Sequence, residues 1–116
     1  MTDQNCIFCR VVAGEIPADI IYKDEGAVAF RDINPQAPVH ALVIPRQHLA
    51  SLNEAEGSDA ATLGHLLQVA ARVAAEQGLS ESGFRTVINT GAGAGQSVFH
   101  LHLHVIGGRP LRWPPG

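Results

Sequence analysis

The sequence is poor in charge, in cysteine and in long hydrophobic runs. Only 16% of the 116 residues are charged and the net charge is −3, which argues against a basic surface for duplex nucleic acid. No apolar run is long enough to span a bilayer, and residues 1–5 lack the basic and apolar segments of a signal peptide. The two cysteines are too few for a disulfide framework. We therefore expect a cytoplasmic protein that binds neither nucleic acid nor a membrane.

The sequence does contain an ordinary share of core-forming residues and an unusual set of histidines. Hydrophobic residues make up 46% of the chain, which is enough for one globular domain spanning residues 1–116. Three of the six histidines lie within residues 100–104. That segment is the most informative part of the sequence.

The apolar periodicity predicts an α+β domain. A short helix over residues 6–13 ends near Gly14, and a long helix with one apolar stripe runs from about Asp59 to Gly78. Strands are predicted over residues 20–22, 27–30, 39–44, 84–89 and 98–106. The turn at residues 24–26 joins the first two strands as a hairpin, which favours antiparallel pairing. The predicted fold is a five-stranded antiparallel sheet with one long helix and a short N-terminal helix.

The predicted last strand, residues 98–106, carries three histidines at alternate positions. Because side chains alternate across a strand, His100, His102 and His104 are predicted to share one face. The residues between them, from Phe99 to Val105, are predicted to face the core. Three adjacent imidazoles would need more polar partners than a small core offers, so we expect the histidine face to line a cleft or meet solvent.

Two chemistries use a row of histidines of this kind. One is metal ligation and the other is nucleophilic attack by a neutral imidazole. Metal hydrolases usually add a carboxylate, and no Asp or Glu lies near this strand in the sequence. The preceding segment, residues 91–97, instead supplies glycines whose backbone N–H groups could converge on a phosphate. The pattern favours the nucleophile.

The segment His-Leu-His-Leu-His-Val-Ile resembles the signature of the histidine triad (HIT) family, in which three histidines alternate with apolar residues. The resemblance extends from Cys6 to Gly116 and is closest to the histidine triad nucleotide-binding branch. Its other motifs are Asp32 to Pro38 with His40, Pro45 with His48, Asn89, Gly95-Gln96-Ser97 and the terminal Trp-Pro-Pro-Gly. The resemblance implies a HIT-like fold that forms a homodimer with a continuous ten-stranded sheet.

The resemblance also implies an activity. The middle histidine, His102, would attack the α-phosphorus of a purine nucleoside 5′-phosphoramidate and form a nucleotidyl-histidine, which water then hydrolyses. Two alternatives stay open: a dinucleoside polyphosphate hydrolase, whose branch usually has Gln where this chain has Leu103, and a nucleotide-binding interaction protein with incidental hydrolysis. A zinc hydrolase with His102 and His104 as ligands is a further alternative. No organic cofactor is expected.

The resemblance assigns roles to individual residues. The catalytic positions that accompany His102 are His104, His100, His40 and Ser97. The substrate-binding positions are Asp32, Ile33, Phe8, Ile16, Phe30, Asn89, Gly95, Gln96 and Trp113. In the family the tail with Trp113 lies across the partner chain near its site. Asp32 would hold the ribose hydroxyls, although an Asx turn before Asn34 is the alternative role for this side chain.

Cys6 and Cys9 lie one helical turn apart and could bind zinc together with two histidines. Some members of the family pair such cysteines with histidines at the positions of His48 and His100. That zinc would be structural and would not take part in catalysis. Buried thiols without metal and a redox motif are the alternatives. His65, on the long helix, is interpreted as a helix-surface or core-edge residue without a chemical role.

Overall fold

A computed structural model describes residues 5–116, so the expectation drawn from residues 1–5 lies outside the described part except for Asn5. Two α-helices are present, α1 (Ile7–Val12) and α2 (Ala60–Glu76). The strands are β1 (Ile20–Lys23), β2 (Ala27–Arg31), β3 (Val39–Pro45), β4 (Phe84–Val87) and β5 (Leu103–Gly107). Short 3₁₀ turns occupy Leu52–Glu54, Gly57–Asp59 and Ala92–Ala94. Within residues 5–116, no helix is long and apolar enough to cross a membrane.

The strands form one antiparallel sheet in the order β1-β2-β3-β5-β4. The β1–β2 hairpin forms as predicted, and the long segment that holds α2 connects β3 to β4. In the sheet, His104 of β5 lies opposite Leu42 of β3 and Val87 of β4. The predicted α+β class, with five antiparallel strands, one long helix and one short helix, is confirmed.

The sheet is covered on both faces. α2 buries Leu66, Val69 and Val73 against one face, where β2 and β3 present mostly small side chains such as Ala29 and Ala41. On the other face, α1 packs on β2 and β3 through Phe8, Cys9, Val11, Val28, Phe30, Leu42 and Ile44. β3 is consequently buried on both sides, which accounts for its nearly continuous apolar sequence.

The predicted strand over residues 98–106 is wrong in its first half. β5 begins only at Leu103, because the preceding backbone turns toward the segment after β3, where Leu101 N donates to Leu49 O at 2.6 Å. Leu101, Leu103 and Val105 lie in the core as predicted, and the alternation fails only at Phe99. Phe99, predicted to face the core, is 51% exposed.

His102 and His104 line a cavity as expected, but His100 departs from the prediction. His100 is fully buried and His102 is 8% exposed, so the histidine face does enter the interior. The imidazoles can be buried because other groups of the protein hydrogen-bond to them. No buried side-chain nitrogen or oxygen in residues 5–116 lacks a hydrogen-bond partner.

Candidate active site

The candidate active site is a cavity of about 310 Å³, called the main pocket below, which lies among α1, the end of β2 and the segment leading into β5. Apolar side chains from α1, β2 and the residues around Pro17 form most of its wall, and two histidines, a serine, an aspartate and an arginine form the polar part. The predicted site residues that line it are Phe8, Ile16, Phe30, Asp32, Ile33, Ser97, His102 and His104. Ile7 and Val11 of α1 add to the apolar wall.

The remaining predicted residues do not line the main pocket. His40 is buried and contacts His104, and His100 is buried and contacts His102. Asn89 and Gly95 lie in the glycine-rich region, of which only Ser97 reaches the pocket wall. Trp113 is 80% exposed. Its predicted contact with a partner chain stays a prediction.

Gln96 holds the glycine-rich segment in place. Its side chain is 3% exposed, and its amide donates to Ala50 O and Val98 O while its carbonyl accepts from Gly91 N. Gly91 and Gly95 both have positive φ angles, +86° and +99°, which favour glycine at these positions. The side chain predicted to bind substrate is thus fully used in shaping the loop that carries Ser97.

The ring of His102 is held in one tautomer by the backbone. Its Nδ1 lies 2.7 Å from the carbonyl oxygen of His100. A carbonyl only accepts, so Nδ1 carries the hydrogen and the Nε2 of the neutral ring keeps its lone pair. The Phe8 ring packs edge-on against the imidazole, with centroids 5.2 Å apart. An oriented imidazole with an unprotonated nitrogen on a pocket wall is suited to nucleophilic attack.

A second backbone group selects the tautomers of His40 and His104. The backbone N–H of Gln36 donates to His40 Nδ1 at 2.9 Å, so the hydrogen of His40 is on Nε2. That nitrogen is 2.9 Å from His104 Nδ1 and donates to it, which places the hydrogen of His104 on its own Nε2. Burial, with smaller contributions from His102 and His40, lowers the pKa of His104 to about 4. His104 is therefore a neutral hydrogen-bond donor on the pocket wall near neutral pH.

Asp32 makes the Asx turn considered for it, and its role at the ribose stays a prediction. Its Oδ1 accepts from Asn34 N at 2.8 Å, which is the Asx turn. Its Oδ2 lies 3.4 Å from His40 Nε2, and the carboxylate lines the main pocket. The turn fixes the side chain and leaves further acceptor positions for a ligand.

The four predicted metal ligands are brought together. Cys6 Sγ and Cys9 Sγ lie 3.3 and 3.5 Å from His100 Nδ1, and Cys9 Sγ lies 3.3 Å from His48 Nδ1. Tetrahedral zinc with ordinary bond lengths separates its sulfur and nitrogen ligands by about 3.6 Å. His100 Nε2 donates to Pro45 O at 2.8 Å, so its Nδ1 lone pair faces the two sulfurs. The donor set and its supporting hydrogen bond fit a structural zinc.

A second cluster, Asp32, His40 and His104, also brings its ligand atoms within 4.8 Å of one another, but its hydrogen bonds do not fit a metal. A metal bound at His40 Nε2 would require the ring hydrogen on Nδ1. The N–H of Gln36 already points at Nδ1, so that hydrogen would face another hydrogen. The hydrogen on His40 Nε2 therefore occupies the position at which a metal would bind.

The groups that the sequence did not reveal are backbone groups. They are the amide of Gln36 and the carbonyls of Pro45 and His100. No residue type marks a backbone partner, and only the fold shows which peptide group meets which imidazole.

The comparisons with known proteins agree with this geometry. The sequence model of the HIT domain matches residues 13–111. The chain belongs to the HIT domain family. A HIT relative from Synechococcus elongatus, described as an uncharacterized HIT-like protein, is 56% identical over 113 residues, which cover 97% of this chain and 98% of the relative.

Solved HIT structures superpose closely on this chain. The crystal structure of a HIT family hydrolase from Legionella pneumophila has a TM-score of 0.95 and 48% identity, and covers 97% of this chain and 100% of that one. A Zn-bound histidine triad family protein from Mycobacterium smegmatis has a TM-score of 0.76 and 41% identity, and covers 90% of this chain and 75% of that one.

Proposed function

We propose that the protein is a hydrolase that cleaves the P–N bond of purine nucleoside 5′-phosphoramidates, with His102 as the nucleophile. The observation that carries this proposal is the tautomer of His102, whose Nδ1 hydrogen bond to His100 O leaves Nε2 available on the pocket wall. A similar HIT structure, from Legionella pneumophila, is described as a hydrolase.

The main pocket has the surfaces that a nucleotide needs. Phe8 and Phe30, whose rings pack edge to face at 5.4 Å, offer an apolar wall to a purine base. Asp32 can accept hydrogen bonds from two ribose hydroxyls while its Asx turn holds it in place. The N–H of His104 and the hydroxyl of Ser97 can donate to phosphate oxygens.

The reaction would run in two displacements. In the first, the Nε2 lone pair of His102 forms a bond to phosphorus and the P–N bond breaks. The amine takes a proton from solvent and leaves past the Ser97 hydroxyl. The imidazole then carries a positive charge, which the hydrogen bond from Nδ1 to His100 O stabilises. In the second, water forms a bond to phosphorus, the P–Nε2 bond breaks, and the water's proton returns to solvent. The products are the amine, the nucleoside monophosphate and neutral His102.

The test compares three proteins on an adenosine 5′-phosphoramidate that carries a fluorescent amine. They are the wild type, His102→Ala and a control, His65→Ala, which removes a histidine on α2 that does not line the main pocket. We expect amine release by the wild type and the control, and a loss of at least about a thousandfold in His102→Ala. Equal rates in all three proteins, or no release by the wild type, would contradict the proposal and favour a nucleotide-binding role without this chemistry.

We also propose that Cys6, Cys9, His48 and His100 hold a structural zinc. The Zn-bound HIT neighbour from Mycobacterium smegmatis supports this, as do the sulfur–nitrogen distances of the cluster. One zinc per chain is expected by elemental analysis of the wild type, and less than about a tenth of that in Cys9→Ser. After a chelator has removed the zinc, an unchanged kcat at saturating substrate would be consistent with a structural zinc and would exclude a catalytic one.

A homodimer is proposed from the resemblance to the histidine triad nucleotide-binding branch. β1 and β4 are the two edge strands, and a ten-stranded sheet requires an edge of this kind to pair with a second copy. The exposed Trp113 would then lie near the partner's pocket. Sedimentation equilibrium is expected to give the mass of two chains, and a single-chain mass would exclude the dimer.

A further inference from the structure

A second cavity of about 320 Å³ adjoins the main pocket. Ile7, Ser97 and Val98 line both cavities, so these residues form the ridge between them. On the far side of the ridge, the second cavity is lined by Phe99 and, next to the Cys/His cluster, by His48. Ser97, the only hydroxyl side chain on the main-pocket wall among the described residues, thus stands between the two spaces.

Phe99 has no evident role in holding the chain together. Its side chain is 51% exposed, because the backbone before β5 leaves the strand conformation and turns the ring away from the core. The ring joins the apolar side chains of Ile7 and Val98 on the cavity wall. A half-exposed aromatic ring beside a cavity is the kind of side chain that gains most from covering a ligand.

The charge of the second cavity defines what it can accept. Among residues 5–116, no Asp or Glu lines it, so no carboxylate there would pair with an additional ammonium group. Its polar wall groups are Asn5, Ser97 and two of the proposed zinc ligands, Cys6 and His48, and the rest of the wall is apolar. The cavity suits an uncharged, aromatic or branched apolar substituent.

The reaction geometry proposed above directs one part of the substrate toward this space. In the proposed reaction the nucleoside occupies the main pocket and the amine leaves past Ser97, and the second cavity opens on the far side of Ser97. We infer that the second cavity is the leaving-group subsite, in which Phe99 covers an aromatic or bulky apolar substituent of the amine. This inference rests on the proposed phosphoramidase activity and names the class of amine that the enzyme prefers.

The test separates the leaving group from the nucleotide by using matched substrates. Adenosine 5′-phosphoramidates of methylamine and of 2-phenylethylamine carry the same nucleotide and differ only in the substituent. For each, kcat/KM is measured in the wild type, in Phe99→Ala and in Leu67→Ala. Leu67 has the same exposure as Phe99, 51%, but lies on α2 and lines neither cavity.

We expect Phe99→Ala to lower kcat/KM for the phenylethylamine substrate by about tenfold and for the methylamine substrate by no more than about twofold. Leu67→Ala should leave both values unchanged. The inhibition constant of AMP, which fills only the main pocket, should not change in Phe99→Ala. Phe99→Leu, which keeps an apolar side chain, should retain most of the preference.

Two results would overturn the subsite. One is an equal loss of kcat/KM for both substrates in Phe99→Ala, which would indicate a general defect in folding or catalysis. The other is no loss of kcat/KM for either substrate. Either differs from failure of the proposed function itself, in which the wild type would release neither amine or His102→Ala would be as active as the wild type.

Discussion

At the scale of single residues, the site is defined by hydrogen bonds from the backbone to imidazole rings. His102 donates to the carbonyl of His100, and His40 accepts from the amide of Gln36. Each bond selects one tautomer and thereby determines which nitrogen meets the pocket. The histidines could be identified from the sequence because their side chains carry the chemistry. Their tautomers could not, because the partners are peptide groups of no particular residue type.

Asp32 is predicted to hold the ribose. Asp32→Asn keeps one side-chain oxygen for the Asx turn with Asn34 but loses the charge and one acceptor. We expect the affinity for AMP, measured by calorimetry, to fall by about tenfold, since hydrogen bonds to charged groups contribute about 1.5–3 kcal/mol. The control ligand is 2′,3′-dideoxy-AMP, which lacks both hydroxyls and should bind both proteins equally. An equal loss for the two ligands would assign Asp32 to the turn alone.

At the scale of elements, the periodic segments were predictable and the interrupted one was not. The positions of α2 and of β1 to β3 follow from apolar spacing and from the hairpin turn. Residues 98–102 show the same alternation as β5 but do not continue the strand, because Leu101 bonds to Leu49 instead of to a sheet neighbour. Alternation cannot reveal this, since it describes only the chain itself and not the segment that pairs with it.

The end of β5 packs tightly against the segment after α2, at Gly107. A Cβ atom there would lie 2.7 Å from Leu79 Cδ1 and 3.2 Å from Gly83 O. We expect Gly107→Ala to lower the free energy of unfolding by about 1–3 kcal/mol, measured by urea denaturation. The matched control is Gly64→Ala in α2, where a Cβ meets nothing within 4 Å. That substitution should raise stability by about 1 kcal/mol. A neutral Gly107→Ala would mean that Leu79 moves aside without cost.

The β1–β2 turn is tied to α2 through Asp24. Its Oδ2 accepts from His65 Nε2 at 2.7 Å and from the Tyr22 hydroxyl at 2.8 Å, and its Oδ1 accepts from Gly26 N and Ala27 N. His65, expected to have no chemical role, thus has a structural one. Burial raises the pKa of Asp24, but these hydrogen bonds outweigh it and lower the pKa to about 2.

This contact predicts a pH-dependent stability. Asp24→Asn keeps the Oδ1 bonds but cannot accept from His65 and Tyr22, so we expect a loss of about 2 kcal/mol near neutral pH. Because the folded pKa is lower than the ordinary value of 3.8, the contribution of Asp24 is complete above that value and disappears as pH falls through about 2. Urea denaturation across this range should show the two proteins converging. A constant difference would contradict ionisation of Asp24 as its source.

At the scale of the whole molecule, α1 connects the Cys/His cluster to the main pocket. Ile7 and Phe8 lie between Cys6 and Cys9 in the sequence, and both line the main pocket. Phe8 contacts the rings of both His100 and His102, at 6.0 and 5.2 Å. The sequence placed the cysteines beside the apolar residues, but only the fold could show that the cysteines meet His48 and His100 while Ile7 and Phe8 reach the pocket.

This arrangement predicts that zinc and nucleotide binding support each other. α1 is too short to be stable alone, so metal bonds at Cys6 and Cys9 should hold Phe8 against His102. Removing zinc is expected to weaken AMP binding by about tenfold, and reciprocity then requires AMP to slow zinc loss. Zinc transfer to a chromogenic chelator, with and without AMP, measures this directly. Asp32→Asn, which binds AMP more weakly at the opposite wall, is the control and should need more AMP for the same protection. If AMP protects neither protein, the cluster stabilises α1 without acting on the pocket.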